Sequence, residues 1–246
     1  MKRVRAEYQK RIYRNRILKN NLRTFNVIVG ESDIFISADD MLVDAALLSI
    51  NKYRSYLEAY ISSHPEFLTS LHPIQYDDFS PQIVRDMIVS ARKADVGPMA
   101  AVAGAIAEHV GRDLLEYSRN AIVENGGDIF IHSQNDVRVG ISAGRSSLSD
   151  KLAIIVRKDE MPMGICTSSG TVGHSLSFGK ADAVCVKAKS ASLADAAATA
   201  IGNMTKSQMD ISKALKIGMS IEDVLGIIII VDDQFGAIGD IELAEN

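Results

Sequence analysis

The residue types best suited to chemistry gather in the second half of this 246-residue chain. From Gly164 to Gly179 there are four glycines and six hydroxyl residues in 16 positions. Glycines let successive backbone N–H groups turn toward one concavity, and hydroxyls add donors, so the stretch is suited to holding phosphate. It is neither a Walker loop nor a dinucleotide fingerprint, because no Gly-Lys-Ser/Thr falls in frame and no Gly-x-Gly-x-x-Gly opens a helix. A Ser/Gly-rich surface loop without function has the same composition, and a lone histidine such as His174 is more often structural than catalytic. Downstream, Asp195 and Thr199 stand four apart in a helical pattern and so share one face. A carboxylate and a hydroxyl placed beside a phosphate loop offer the hard oxygens that Mg²⁺ takes, with water and phosphate completing its shell. The local alternative is a capping box, Ser192-Leu-Ala-Asp195, which leaves Thr199 unexplained.

Two small-residue segments would have to position these groups, PMAAVAGAIA at Pro98–Ala107 and ASLADAAATA at Ala191–Ala200. Positions 100–107 and 191–200 hold 11 of the chain's 27 alanines. Helices with so little bulk bring their backbone close to a neighbour, whether helix, sheet or ligand. Around them the pattern predicts strands FNVIV and DIFIS about a turn at Gly30–Asp33, then a helix entered at Ala38-Asp39-Asp40 and running to about Ile61. The proline-rich stretch 64–81 reads as an irregular connector, or a hinge between two lobes. Helices follow from Pro81 to about Lys93 and from Pro98, with helical spacing extending over 113–124. After Gly126-Gly127, DIFIH and DVRVGIS flank Ser133-Gln134-Asn135 as a hairpin signal. Strands are expected at 152–156, 182–188 and 226–231, and helices at 193–203 and 206–216. Strands and helices cluster instead of alternating, which predicts an α+β fold with mixed or antiparallel sheets and packed helices.

Composition fits that class: 47% of residues are hydrophobic and 24% charged, excluding collagen-like and broadly disordered chains. The apolar runs at 96–107 and 224–231 are far shorter than the roughly 20 residues of a membrane span. The charged opening MKRVRAEYQKR does not match a secretory signal, and Cys166 and Cys185 suit a reducing compartment, so the expected location is cytoplasmic. The net charge of −4 is uneven, since residues 1–23 carry nine basic side chains and one acidic, leaving 18 basic and 30 acidic residues beyond them. The sequence thus divides into a basic N-terminal arm over 1–24 and one domain over 25–246. An arm of this kind can bind a polyanion such as nucleic acid, or lie on an acidic surface of its own or a neighbouring subunit, but no nucleic-acid module follows it.

Four stretches in this order resemble the ApbE family of Mg²⁺-dependent flavin transferases, once called thiamine-biosynthesis lipoproteins. They are Ala101-Val-Ala-Gly-Ala105, Asn125-Gly-Gly-Asp128, Thr167-Ser-Ser-Gly170 and Ala194-Asp-Ala-Ala-Ala-Thr-Ala200, the last being the most specific. Closer still is a set of uncharacterised ApbE-like proteins sharing VGPMAAVAGAIAE, ENGGDIF and CTSSGTVGHSLSFGKAD. The resemblance implies FAD or FMN as ligand, Mg²⁺ as cofactor and transfer of FMN to a hydroxyl of a protein acceptor. It places Asp195, Thr199 and the carbonyl of Ala103 at the metal. Thr167, Ser168, Ser169, Gly170, Thr171, Gly173, Gly104, Gly126 and Gly127 fall beside the nucleotide, and His174 and Asp182 are the candidate bases. Two departures stand out: Gly104 occupies the place of the transferases' lysine, and their His-Ile-x-Asp-Pro motif is missing. A non-catalytic nucleotide-binding or sensor protein is therefore the alternative.

Overall fold

The computed structural model describes residues 22–168 and 179–246. The basic arm up to residue 21, and within the predicted loop Ser169, Gly170, Thr171, Gly173 and His174, lie outside the described residues.

Strands β1 (Arg23–Val29) and β2 (Ser32–Ala38) form the expected hairpin, turned at Gly30, whose φ of 56° lies in the left-handed region open to glycine. Helix α1 (Val43–Ser63), a short α2 (Pro65–Thr69) and α3 (Gln82–Ala94) follow. A single 3₁₀ turn at Pro98–Ala101 then enters α4 (Val102–Leu114). Next come β3 (Ala121–Asn125), β4 (Asp128–His132), β5 (Val137–Gly140), β6 (Leu152–Val156), β7 (Met163–Ser168) and β8 (Ala183–Ala188). The chain closes with α5 (Ala191–Met204), α6 (Ile211–Gly218), β9 (Val224–Val231), β10 (Gln234–Gly239) and β11 (Glu242–Glu245). Eight strands form one antiparallel sheet in the order β1-β2-β3-β4-β7-β8-β9-β10, and β11-β6-β5 form a second. The helices cover one face of the large sheet and the small sheet covers the other, giving an α+β molecule of three layers. Among the described residues no helix is long and apolar enough to cross a membrane.

Three expectations change. DIFIH and DVRVG do not pair with each other: β4 has both edges taken, by β3 and β7, so the chain leaves it at Ser133 and starts the second layer. There Val137 and Val139 pack face to face against Ile129 and Ile131. The helical pattern over 113–124 stops at Leu114, because Ile122 and Val123 are needed between β2 and β4, where β-branched residues fit well. The Asp39 carboxylate does not open α1. It accepts from the Arg119 N–H at 2.8 Å, Asn120 Nδ2 at 2.6 Å and Ser118 Oγ at 3.2 Å, fastening the α4–β3 connection to the end of β2.

The connector at 64–81 packs into the core below α1, where Phe67 is fully buried. Between the sheets, Lys187 of β8 is 1% exposed and its ammonium donates to Glu160 at 2.6 Å and Asp240 at 2.9 Å. That ion triad fastens an interior strand of the large sheet to the segments flanking the small one.

Candidate active site

The two small-residue segments become the 3₁₀ turn with α4, and α5, and they lie directly against each other. A Cβ built on Gly104 would stand 2.2 Å from the Ala191 carbonyl oxygen and 2.9 Å from Asp195 Cβ, so this approach requires glycine. A Cβ on Gly164 of β7 would stand 2.3 Å from Ala191 Cα. Helix α5 is thus wedged between α4 and the sheet, and bulk at any of these positions would push it away.

Each of the two helices caps the other. Asp195 Oδ2 accepts the Gly104 N–H at 3.0 Å, satisfying a donor in the first turn of α4 that has no partner within its own helix. In return Glu108, buried in α4, accepts the Ala191 N–H at 2.8 Å at the start of α5, and its other oxygen holds Arg112 at 2.7 Å. The side-chain cap of α5 is Ser190, whose Oγ accepts the Leu193 N–H at 3.2 Å. The capping box expected from Ser192 and Asp195 is therefore not formed: Ser192 sits inside the first turn, and Asp195 is directed to a different helix.

Asp195 meets two residues from the sheet. Gly126 and Gly127 make the β3–β4 turn with φ of 76° and 132°, and Asp128 emerges from it opposite Cys166 of β7. Alternation along β7 puts Gly164, Cys166 and Ser168 toward the helices, and Ile165 and Thr167 toward the small sheet. One ligand-type atom from each of Asp128, Cys166 and Asp195 lies within 4.8 Å of the others. Burial pushes Asp128 up to about 7; a hydrogen bond with Cys166 pulls it down and the charge of Glu124 adds to the rise. For Asp195 too the first cause is burial, then the like charge of Asp128, and together they outweigh the N–H groups of Gly104 and Ala103 and hold it well above the usual carboxylate range. Burial, with both carboxylates nearby, also raises the Cys166 thiol. Asp128 Oδ1 is buried with no hydrogen-bond partner. A pair of half-buried carboxylates with one orphaned, buried oxygen is what a cation or a proton donor would relieve.

The residues anticipated from sequence are distributed as follows. Thr199 lies one turn beyond Asp195 in α5, half-buried. Ala103 sits at the start of α4, and its carbonyl accepts from Asn125 Nδ2 at 3.2 Å. Gly104, Gly126 and Gly127 all border the cluster, and the Gly127 carbonyl accepts the Thr167 N–H at 3.1 Å. Ser168 is on the helix side of β7, whereas the Thr167 side chain is on the opposite side, beside Cys185. Asp182 is buried and its Oδ2 accepts the Asp232 N–H at 2.7 Å, which ties it to the β9–β10 turn. Sequence reasoning did not single out Asp128, Cys166 or Glu108 for the site. Asp128 ends the Asn-Gly-Gly-Asp stretch that carried the resemblance and could have been chosen, whereas the only local sign at Glu108 is its pairing with Arg112 four residues on, and its hold on the start of α5 joins residues 83 and 84 positions away.

The family model described as AbpE bacteria matches residues 14–235. A UPF0280 protein of Methanocaldococcus jannaschii is 43% identical over 221 residues, spanning 87% of this chain and 90% of that protein. A UPF0280 protein of Methanothermobacter thermautotrophicus is 46% identical over 191 residues, spanning 76% and 74% respectively. Among solved structures, the apo flavinyl transferase ApbE of Pseudomonas stutzeri has a TM-score of 0.55 at 12% identity and covers 89% of this chain and 94% of its own. The ApbE protein of Thermotoga maritima has the same score and identity, covering 87% and 96%. At such identity these structures share a fold with this chain.

Proposed function

From a chain that belongs to the AbpE bacteria family, and whose fold is that of ApbE flavinyl transferases, we propose a protein that binds a flavin nucleotide and transfers its FMN half to a hydroxyl of a protein acceptor. The observation carrying this reading is the placement of Asp195: its carboxylate lies at the N-terminus of α4, beside Asp128, with Thr199 one turn on. The oxygens fit Mg²⁺, which takes carboxylates and hydroxyls, and the partnerless Asp128 Oδ1 is a donor that a cation would satisfy. Asp195 and Thr199 would hold the ion, with the Ala103 carbonyl close by. Such an ion neutralises phosphate charge.

The chain's own groups do the rest. Ser168, the hydroxyl-bearing Ser169 and Thr171, and the turn glycines at 126 and 127 would offer donors to the nucleotide's phosphates, with Gly170 and Gly173 between them, while the Gly104 N–H is already held by Asp195. In the transfer, the acceptor oxygen bonds the FMN-side phosphorus while the pyrophosphate P–O bond breaks, its electron pair leaving on AMP. The hydroxyl proton passes to a base, for which His174 and Asp182 are the candidates. The test is incubation with FAD, Mg²⁺ and a threonine-containing acceptor peptide. Release of AMP with an FMN-sized mass gain on the peptide is expected, and absence of both, while an active transferase works in parallel, overturns the transfer.

One observation favours a second reading, a binding or sensor protein that keeps the pocket without the transfer. The place of the transferases' lysine is not merely vacated at Gly104: the Ala191 backbone at 2.2 Å leaves no room there for any side chain. Flavin that binds without AMP release selects this reading.

A further inference from the structure

The cluster holds a donor that Mg²⁺ chemistry leaves unused. Magnesium takes oxygen, whereas a thiolate selects zinc-like and iron-like ions. Cys166 stands on β7 directly across from Asp128, and its Sγ lies within 4.8 Å of carboxylate oxygens of both Asp128 and Asp195. At zinc bond lengths of about 2.0–2.3 Å and tetrahedral angles, donors sharing one ion stand about 3.3–3.8 Å apart, so atoms that lie within 4.8 Å of one another reach a common ion by closing on the order of an ångström at most. They come from a turn, a strand and a helix that other contacts already fix: the Gly127 carbonyl to the Thr167 N–H, Gly164 against Ala191, and Asp195 on the Gly104 N–H. Asp128 Oδ1 adds an independent sign, since a buried oxygen with no hydrogen-bond partner is rare in proteins and a bound cation would complete it.

We propose that Asp128, Cys166 and Asp195 form a binding site for a divalent transition metal of the zinc class. Three protein donors leave a fourth position for water or a ligand oxygen, the arrangement of zinc sites that act on a substrate. On binding, the metal–sulfur bond replaces the Cys166 S–H bond and the proton is released to solvent. Cys185, the other cysteine, faces the opposite side of the sheet and is not a donor. The proposal shares Asp195 with the nucleotide reading but does not need flavin to be the ligand.

The test is titration of the metal-free full-length protein with Co²⁺, a spectroscopic stand-in for zinc. A near-ultraviolet thiolate-to-cobalt charge-transfer band that saturates at equimolar metal is expected, and Cys166→Ser is expected to abolish it while Cys185→Ser keeps it. No such band, or a band surviving in Cys166→Ser, overturns the proposal. Should the variant fail to fold, X-ray absorption of the zinc-loaded wild type decides: a sulfur scatterer at about 2.3 Å supports the site, and a shell of light atoms alone overturns it. Flavin fluorescence titrated with protein and Mg²⁺ separates the two readings. A cobalt band without flavin binding defeats only the nucleotide reading, and flavin binding without the band defeats only this one.

Discussion

Asp195 serves two neighbours at once, ending α4 through the Gly104 amide and facing Asp128 across the site. Its two roles separate on substitution. Asn at this position keeps an oxygen for Gly104 and removes the like charge, so the metal-free Asp195→Asn protein should melt no lower than wild type while Mg²⁺-dependent FAD binding, read by calorimetry, falls at least tenfold. A variant that melts lower but binds FAD as before would make Asp195 a helix cap only, an effect of about 0.5–2 kcal/mol. Asp128 carries a pH signature. Its folded value is raised to about 7, above about 3.9 for an unconstrained carboxyl, so the folded state holds this proton more tightly than the unfolded one. Stability from this group is then complete below about pH 4 and is lost as pH rises toward 7. Denaturant titrations of metal-free protein across that range should show the slope, and Asp128→Asn should flatten it. An unchanged slope in the variant would assign the dependence to other groups. At this scale a motif picked out Asp195, and the fold sets that residue beside Asp128 and Cys166. The sequence was not readable where a residue's role depends on a strand partner, as for Cys166 opposite Asp128.

Helices α4 and α5 form one unit because each supplies an acceptor for a backbone N–H in the other's first turn. Glu108→Ala would leave the Ala191 N–H without its acceptor and Arg112 without its anion, at a cost of about 1–3 kcal/mol measurable by urea denaturation. Gly104→Ala should cost a similar amount, about 1–3 kcal/mol, because its Cβ meets backbone, which cannot swing aside. Wild-type stability in either variant would show that the helices are less tightly engaged than their contacts imply. The small-residue runs announced this close approach, since little else explains so many alanines in two short segments. The sequence did not say that DIFIH and DVRVG belong to different sheets. Alternation reports that a strand buries one face, but which edge it takes is decided by strands far away in the chain, here β3 and β7.

At the scale of the whole molecule, the helix layer, the large sheet and the small sheet meet at β8, whose neighbours β7 and β9 lead toward the site and toward the β9–β10 turn. Lys187 ties that strand to the third layer through an ion triad with unequal partners, Glu160 being 23% exposed and Asp240 66%. Lys187→Met is expected to keep or raise the denaturation midpoint, since well-packed apolar replacements of buried ion pairs are often neutral or stabilising. Glu160→Ala should lower it, because the ammonium stays buried with only the more exposed partner. The reverse order of midpoints would show that the triad contributes net stability. Fold class was legible at this scale from the grouping of strands and helices alone. The three-layer arrangement was not, because the order of strands in a sheet leaves no trace in local periodicity.

The reciprocal capping of α4 and α5 also makes the Gly104 amide a natural gauge of the site. Its proton is directed at the carboxylate that any cation or phosphate would disturb, so its resonance and its hydrogen-exchange rate should move when the site fills. A single backbone signal would then report occupancy in nitrogen-15-labelled protein carrying no attached probe, whatever the ligand is.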